Sequence, residues 1–201
     1  MTENSVAAPA APTTAPAPTT AAADRVLRER YARRFRVLDA DGDGLIREAD
    51  LLGRARRLAD GLGEPPGSPR AVAALRGARA FWRGVTGLAG VAADGRLTED
   101  EFVAALDEAR QLGGVGELLR PAVRAHVALV DRDGDGHVDR EEFTRAQQAL
   151  GIPAGSARDA FARLDRDGDG RITVEAWQRS ALAFYTDPGD GAGELVVGTR
   201  P

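Results

Sequence analysis

Residues 131–142 read Asp-Arg-Asp-Gly-Asp-Gly-His-Val-Asp-Arg-Glu-Glu, and near copies occupy 39–50 and 165–176. A hard divalent cation asks for about six to eight oxygens at roughly 2.3–2.6 Å. A twelve-residue loop supplies them with inward side chains at positions 1, 3 and 5 and a sharp turn at a glycine in position 6. A backbone carbonyl at position 7, often a water at 9 and a carboxylate at 12 complete the set. In residues 131–142 the carboxylates are Asp131, Asp133, Asp135, Asp139 and Glu142, the turn is Gly136 and the carbonyl is that of His137. Without a counter-ion these carboxylates repel one another, and a bound divalent ion relieves the repulsion. A pattern of this length met three times in one chain sets the metal class as Ca2+.

The other copies are less complete. Loop 39–50 carries Asp39, Asp41, Asp43, the turn Gly44, the carbonyl of Leu45 and Asp50 at position 12. Asp is one methylene shorter than Glu and reaches an ion less easily with both oxygens, which moves preference toward six-coordinate Mg2+. Loop 165–176 carries Asp165, Asp167, Asp169, Gly170, the carbonyl of Arg171 and Thr173, but position 12 is Ala176. Glu175 stands one residue early, about 100° around the helix that begins there, and is expected to point away. Two to three Ca2+ ions are expected, with Mg2+ possible at loops 39–50 and 165–176.

Positioning these loops requires helices on both sides. Leu27, Tyr31, Phe35 and Leu38 keep a helical period that ends at Asp39, and Leu51, Leu52, Ala55 and Leu58 restore it after the loop. Counting from position 1, Phe35/Leu38, Val127/Val130 and Phe161/Leu164 recur at −4 and −1. Ile46, Val138 and Ile172 recur at position 8, and Leu51, Phe143 and Trp177 at position 13. The position-8 residues belong on short extended segments through which loops pair. One such unit cannot bury its apolar face alone, so the units are expected in pairs.

Loops 131–142 and 165–176 pair in sequence, which leaves loop 39–50 in need of a partner. Glu101-Phe102 matches a position-12 acid followed by an aromatic and places position 1 at Gly90. Asp94, Gly95, Leu97, Thr98 and Glu101 survive there, but Gly90 and Ala92 offer no side-chain oxygen. This second unit is expected to keep the fold and to have lost most of its metal site. The fold expected is all-α, with four helix-loop-helix units in two pairs forming one compact body and short β-bridges between paired loops. The division is a disordered Ala/Pro/Thr-rich tail over 1–23, pair one over 24–108, pair two over 109–186 and a tail over 187–201. The Leu195-Val196-Val197 run of that last tail could lie in an apolar groove or fray.

Composition bounds the rest. The chain has 201 residues, 27 Lys+Arg against 31 Asp+Glu, and no Cys. Every basic residue of the 27 is Arg. The mild acidity gives no electrostatic case for nucleic acid. The absence of Cys removes disulfides and thiolate metal sites. There is no run of 18 apolar residues that could span a membrane. With no basic n-region at the start, a cytoplasmic location is expected. His126 and His137 lack a nearby Cys or second His for a transition-metal site. No nucleophile elbow or phosphate-cradling glycine loop occurs.

Through Asp39-Ala-Asp-Gly-Asp-Gly, Asp131-Arg-Asp-Gly-Asp-Gly and Asp165-Arg-Asp-Gly-Asp-Gly, residues 24–186 resemble the EF-hand superfamily. More narrowly they resemble the calerythrin-like proteins of actinobacteria, which are similar to sarcoplasmic calcium-binding proteins. The order of hands agrees, with the first, third and fourth metal-competent and the second degenerate. Ala176 and the long segment before Asp24 depart from the family pattern. The resemblance implies one compact helical body and a calcium buffer or transporter. A non-enzymatic, monomeric Ca2+ buffer is therefore expected, with no protein partner specified. A sensor that opens to grip a target is the alternative. Sensors of that type expose Met-rich grooves, and the only Met here is Met1.

Overall fold

The apolar stripes read from the sequence become helices that run into and out of the loops. The computed structural model describes residues 20–189. In order they form α1 (Thr20–Leu38), α2 (Glu48–Gly61), α3 (Pro69–Leu88), α4 (Glu99–Gln111), α5 (Val115–Val130), β1 (His137–Asp139), α6 (Arg140–Ala149), α7 (Ala154–Leu164), β2 (Arg171–Thr173) and α8 (Val174–Thr186). The fold is all-α with one small antiparallel sheet. Helix α1 begins at Thr20, so the last four residues of the expected 1–23 tail are helical. Ala21, Ala22 and Ala23 are strong helix formers and extend the stripe backwards. Residues 1–19 and 190–201, including the Leu195-Val196-Val197 run, lie outside the described residues.

The position-8 residues tie the loops in pairs. Ile46 and Leu97 exchange two backbone hydrogen bonds of 2.9 and 3.0 Å, forming an isolated bridge. In the other pair β1 and β2 run antiparallel, with Val138 opposite Ile172 and Asp139 opposite Arg171. All four apolar bridge residues are buried. Each pair is thus locked behind its metal loops, which fixes the spacing of neighbouring sites.

The two pairs do not own separate cores. One core joins Phe35, Trp82, Phe102 and Leu106 to Phe184 and Tyr185 from the end of α8. The other joins Val130, Phe143, Phe161 and Trp177 to Leu58 from α2, to Leu62 just after it and to Ala71 and Ala74 from α3. Because each core borrows helices from the other half of the chain, the four units form one body. Helices α3 and α5 cross closely where a Cβ on Gly77 would stand 2.7 Å from the Pro121 carbonyl oxygen. Any larger residue there would have to force the crossing apart. Among the described residues, no helix is long and apolar enough to cross a membrane.

Candidate metal centres

Each metal-competent loop starts where a helix stops. The backbone N–H of Asp39 donates to Phe35 O (2.8 Å), that of Asp131 to Val127 O (2.8 Å) and that of Asp165 to Phe161 O (2.9 Å). The position-1 carboxylate then folds the loop over itself. Asp39 accepts from the N–H groups of Gly42 and Gly44, both at 3.0 Å. Asp131 accepts in the same way from Gly134 (2.7 Å) and Gly136 (3.1 Å). Asp165 accepts from Gly170 at 3.1 Å. Gly136 stands at φ 83°, a left-handed conformation that a side chain would strain, which is why position 6 is glycine. The position-5 carboxylates take the N–H of position 7, from Leu45 (2.9 Å), His137 (2.8 Å) and Arg171 (2.8 Å).

Three groups of carboxylate oxygens result, each within 4.8 Å: Asp39/Asp41/Asp43, Asp131/Asp133/Glu142 and Asp165/Asp167/Asp169. They differ at position 5, where Asp135 stays outside the group of its loop while Asp43 and Asp169 join theirs, and at position 12. Glu142 reaches both ways, with Oε1 accepting from Arg132 N–H at the loop mouth (2.8 Å) and Oε2 from Asp139 N–H at the helix start (3.1 Å). Asp50 has length only for the second task, accepting from Arg47 N–H at 2.7 Å, and does not join its loop's group. In the third such loop Thr173 Oγ1 caps the N–H of Ala176 (3.0 Å), and Glu175 is exposed to solvent. Asp139 likewise caps α6, accepting from Glu142 N–H at 2.8 Å. The backbones of Leu45, His137 and Arg171 stand at position 7 as the loop pattern requires.

The donor sets fit a hard cation. They are all oxygen, clustered and anionic, as Ca2+ and Mg2+ prefer. In loop 165–176 the Oδ1 of Asp165, which is 9% exposed, is buried with no hydrogen-bond partner. A buried carboxylate oxygen without a partner is costly, and a cation among Asp165, Asp167 and Asp169 would supply one. Ca2+ supplies charge neutralisation that holds the loop closed.

The EF hand family matches residues 128–146 and 157–179, the third and fourth helix-loop-helix units. A solved calcium-binding protein of Streptomyces coelicolor is 35% identical, with a TM-score of 0.68, covering 80% of this chain and 98% of that one. The chain belongs to the calerythrin-like EF-hand proteins and binds Ca2+. Calerythrin of Saccharopolyspora erythraea is 27% identical over 139 residues, covering 68% of this chain and 78% of that protein. A sarcoplasmic calcium-binding protein from amphioxus shares the fold, with a TM-score of 0.66 at 16% identity over 88% of this chain and 98% of that one. The S. coelicolor and amphioxus proteins are both described as calcium-binding proteins.

The degenerate hand, 90–101, is held by protein groups. Trp82 Nε1 donates to the Ala93 carbonyl at 2.7 Å, and Gly95 N–H to that of Ala92 at 2.9 Å. Thr98 and Glu101 form a capping box at the start of α4. Trp82 thus straps the metal-less loop, a role that the repeat pattern does not assign. That role has a signal in hindsight, because a buried indole N–H needs an acceptor.

Proposed function

We propose that this EF-hand protein is a cytoplasmic Ca2+ buffer whose metal loops are Asp39–Asp50, Asp131–Glu142 and Asp165–Ala176, ranked in affinity by position 12. The ion would be held by Asp131, Asp133, Asp135, Glu142 and the His137 carbonyl in the strongest loop. Asp39, Asp41, Asp43 and the Leu45 carbonyl would hold it in the first. Asp165, Asp167, Asp169 and the Arg171 carbonyl would hold it in the last, with Asp139 at position 9 of loop 131–142 and Thr173 at position 9 of loop 165–176. Waters complete the incomplete shells, and Mg2+ competes at the first and last. The observation that carries the buffer reading is the closed core. Phe35, Phe102, Phe143, Phe161 and Trp177 are all buried, and the only exposed large hydrophobics among the described residues are Leu112 and Leu182. A buffer needs no groove that opens, whereas a sensor must expose apolar surface when loaded.

A sensor remains the second reading because the S. coelicolor relative is described in terms of calcium-mediated regulation. Binding of a hydrophobic dye, compared between calcium-loaded and chelated protein, separates the two. Little added dye binding on loading supports the buffer, and a strong calcium-dependent rise supports the sensor. For the sites themselves, calorimetric titration of Asp39→Ala, Asp131→Ala and Asp165→Ala each removes one ion from the stoichiometry. An unchanged stoichiometry in Asp165→Ala would remove the last loop from the set.

A further inference from the structure

The two cores leave a cavity of about 120 Å³ between them, and none of the four loops lines it. Leu58 of α2, Ala74 and Phe81 of α3, Leu129 of α5 and Trp177 of α8 give it a mostly apolar wall. An apolar cavity of about 150 Å³ in a protein core stays dry and accepts benzene, so this one has room for roughly one six-membered ring. Arg34 and Arg54 also line it and have interactions of their own.

Within this wall, His126 and Tyr185 each keep a polar group without a hydrogen bond. His126 of α5 packs its ring against Trp177, with centroids 5.7 Å apart and planes tilted by 41°. Among the described residues neither of its ring nitrogens has a hydrogen-bond partner. Burial lowers its pKa to about 3, aided by the charges of Arg54 and Arg34, so the imidazole is neutral. A neutral imidazole offers one N–H donor and one acceptor nitrogen. Tyr185 of α8 is 2% exposed, and its carbonyl accepts from the Tyr31 hydroxyl. Its own hydroxyl has no hydrogen-bond partner among the described residues. Polar groups left unpaired in an apolar wall are costly, and Leu and Phe would fill the same positions without that cost.

We propose that this cavity is a ligand site for a neutral single-ring phenol, its ring against Phe81 and Trp177 and its hydroxyl hydrogen-bonded to His126. A phenol both donates and accepts, so it pairs with a neutral imidazole in either tautomer. Its flat ring suits a wall that carries aromatic faces. A second ring exceeds the space, and a plain hydrocarbon of the same size leaves His126 unpaired. The Tyr185 hydroxyl is the second polar group open to the ligand. The site lies outside the metal loops, so it is independent of the buffer reading.

The probes are phenol and toluene, which are of nearly equal size, titrated calorimetrically into the full chain at saturating Ca2+. A plain apolar void favours toluene, because phenol must give up its hydrogen bonds to water. The expected result is one phenol per chain, bound at least as tightly as toluene. In His126→Leu the phenol affinity falls about tenfold, while toluene binding and calcium stoichiometry are retained. In Ala78→Leu, which extends a lining side chain into the space, both probes lose binding. No saturable phenol binding by the parent, or a clear preference for toluene, would overturn the proposal. So would a phenol affinity unchanged in His126→Leu, or undiminished in folded Ala78→Leu. The comparison on the parent needs no variant, and it decides the proposal even where Ala78→Leu fails to fold.

Discussion

Arg171 Nη1 of the fourth loop lies 3.4 Å from Asp135 Oδ2 of the third, so position 7 of one site touches position 5 of its neighbour. The contact follows from the ladder, which sets Arg171 opposite Asp139 and aims its guanidinium across the pair. Both side chains are well exposed, and such a pair adds little stability. Its consequence lies in the metal shell, because an oxygen held by a guanidinium is not fully given to an ion, and the cation repels the ion as well. The first loop has the same device within itself. Arg47 Nη1 lies 2.8 Å from Asp43 Oδ2, and that hydrogen bond holds the Asp43 carboxyl below its usual range.

Arg171→Gln should therefore tighten the third loop. Removing one unit charge at close range in a watery setting is worth about 1 kcal/mol, or roughly fivefold in affinity. Calorimetric titration with Asp39→Ala present in both proteins isolates the effect, since the Arg171 carbonyl that serves the fourth loop is kept. An affinity at the third loop that stays level or falls would mean that the guanidinium does not compete. Arg47→Gln should shift the first loop in the same direction.

Asp50→Glu addresses the closing acid of the first loop. Glu142 caps its helix and reaches the loop mouth at once, whereas Asp50 only caps. The extra methylene should let one oxygen of position 12 join Asp39, Asp41 and Asp43. Ca2+ affinity then rises by an order of magnitude or so, and competition by millimolar Mg2+ weakens, because Ca2+ tolerates the higher coordination number better. The decisive readout is the ratio of Ca2+ affinities with and without Mg2+. A ratio identical to that of the parent would show that Asp50 does not set the selectivity.

The repeat was legible because its chemistry and its packing obey one register. Phe35, Val127 and Phe161 at −4 and Ile46, Val138 and Ile172 at position 8 are all buried. The partner of loop 39–50 was legible through Glu101-Phe102 and Leu97, and the Ile46–Leu97 bridge pairs those two loops. Position rules could not reach contacts that cross between repeats. The Arg171–Asp135 pair depends on strand register, and the Trp82 strap on loop 90–101 depends on helix packing. The sharing of Phe184 and Tyr185 with the first core depends on how two pairs dock, which no local pattern encodes. His126 is the sharpest instance. In sequence it is one polar residue in a helix, whereas in the fold its ring lies 5.7 Å from that of Trp177 beside the central cavity.

Ala176→Glu should complete the fourth loop. Ala176 is half-buried at position 12, and its N–H is already capped by Thr173, so helix α8 starts correctly without a new residue. A Glu there has the length of Glu142 and faces a group whose Asp165 Oδ1 has no partner. Ca2+ affinity of this loop should rise roughly tenfold or more, since each decade needs only about 1.4 kcal/mol from a new charged ligand. Titration of Ala176→Glu in the Asp39→Ala background reads it directly. No gain over the parent would mean that position 12 of this loop does not face the ion.

His126 predicts a pH dependence with a definite sign. Burial lowers its pKa to about 3, with the charges of Arg54 and Arg34 acting in the same direction, so the folded protein keeps it neutral. The unfolded chain takes up a proton near the usual histidine value of about 6.5. Between these values the unfolded state binds more protons, so stability falls as the pH drops from about 6.5 toward 3 and is unaffected by this residue above that window. One such group contributes a slope of at most about 1.4 kcal/mol per pH unit. His126→Gln keeps a neutral polar side chain of similar size and should remove that share of the slope. Urea unfolding of both proteins at matched pH from about 7 to about 4 supplies the comparison, in which the loop carboxylates cancel. Parallel curves would mean that His126 titrates in the folded state as it does in water, and that the cavity wall carries a further positive charge at acid pH.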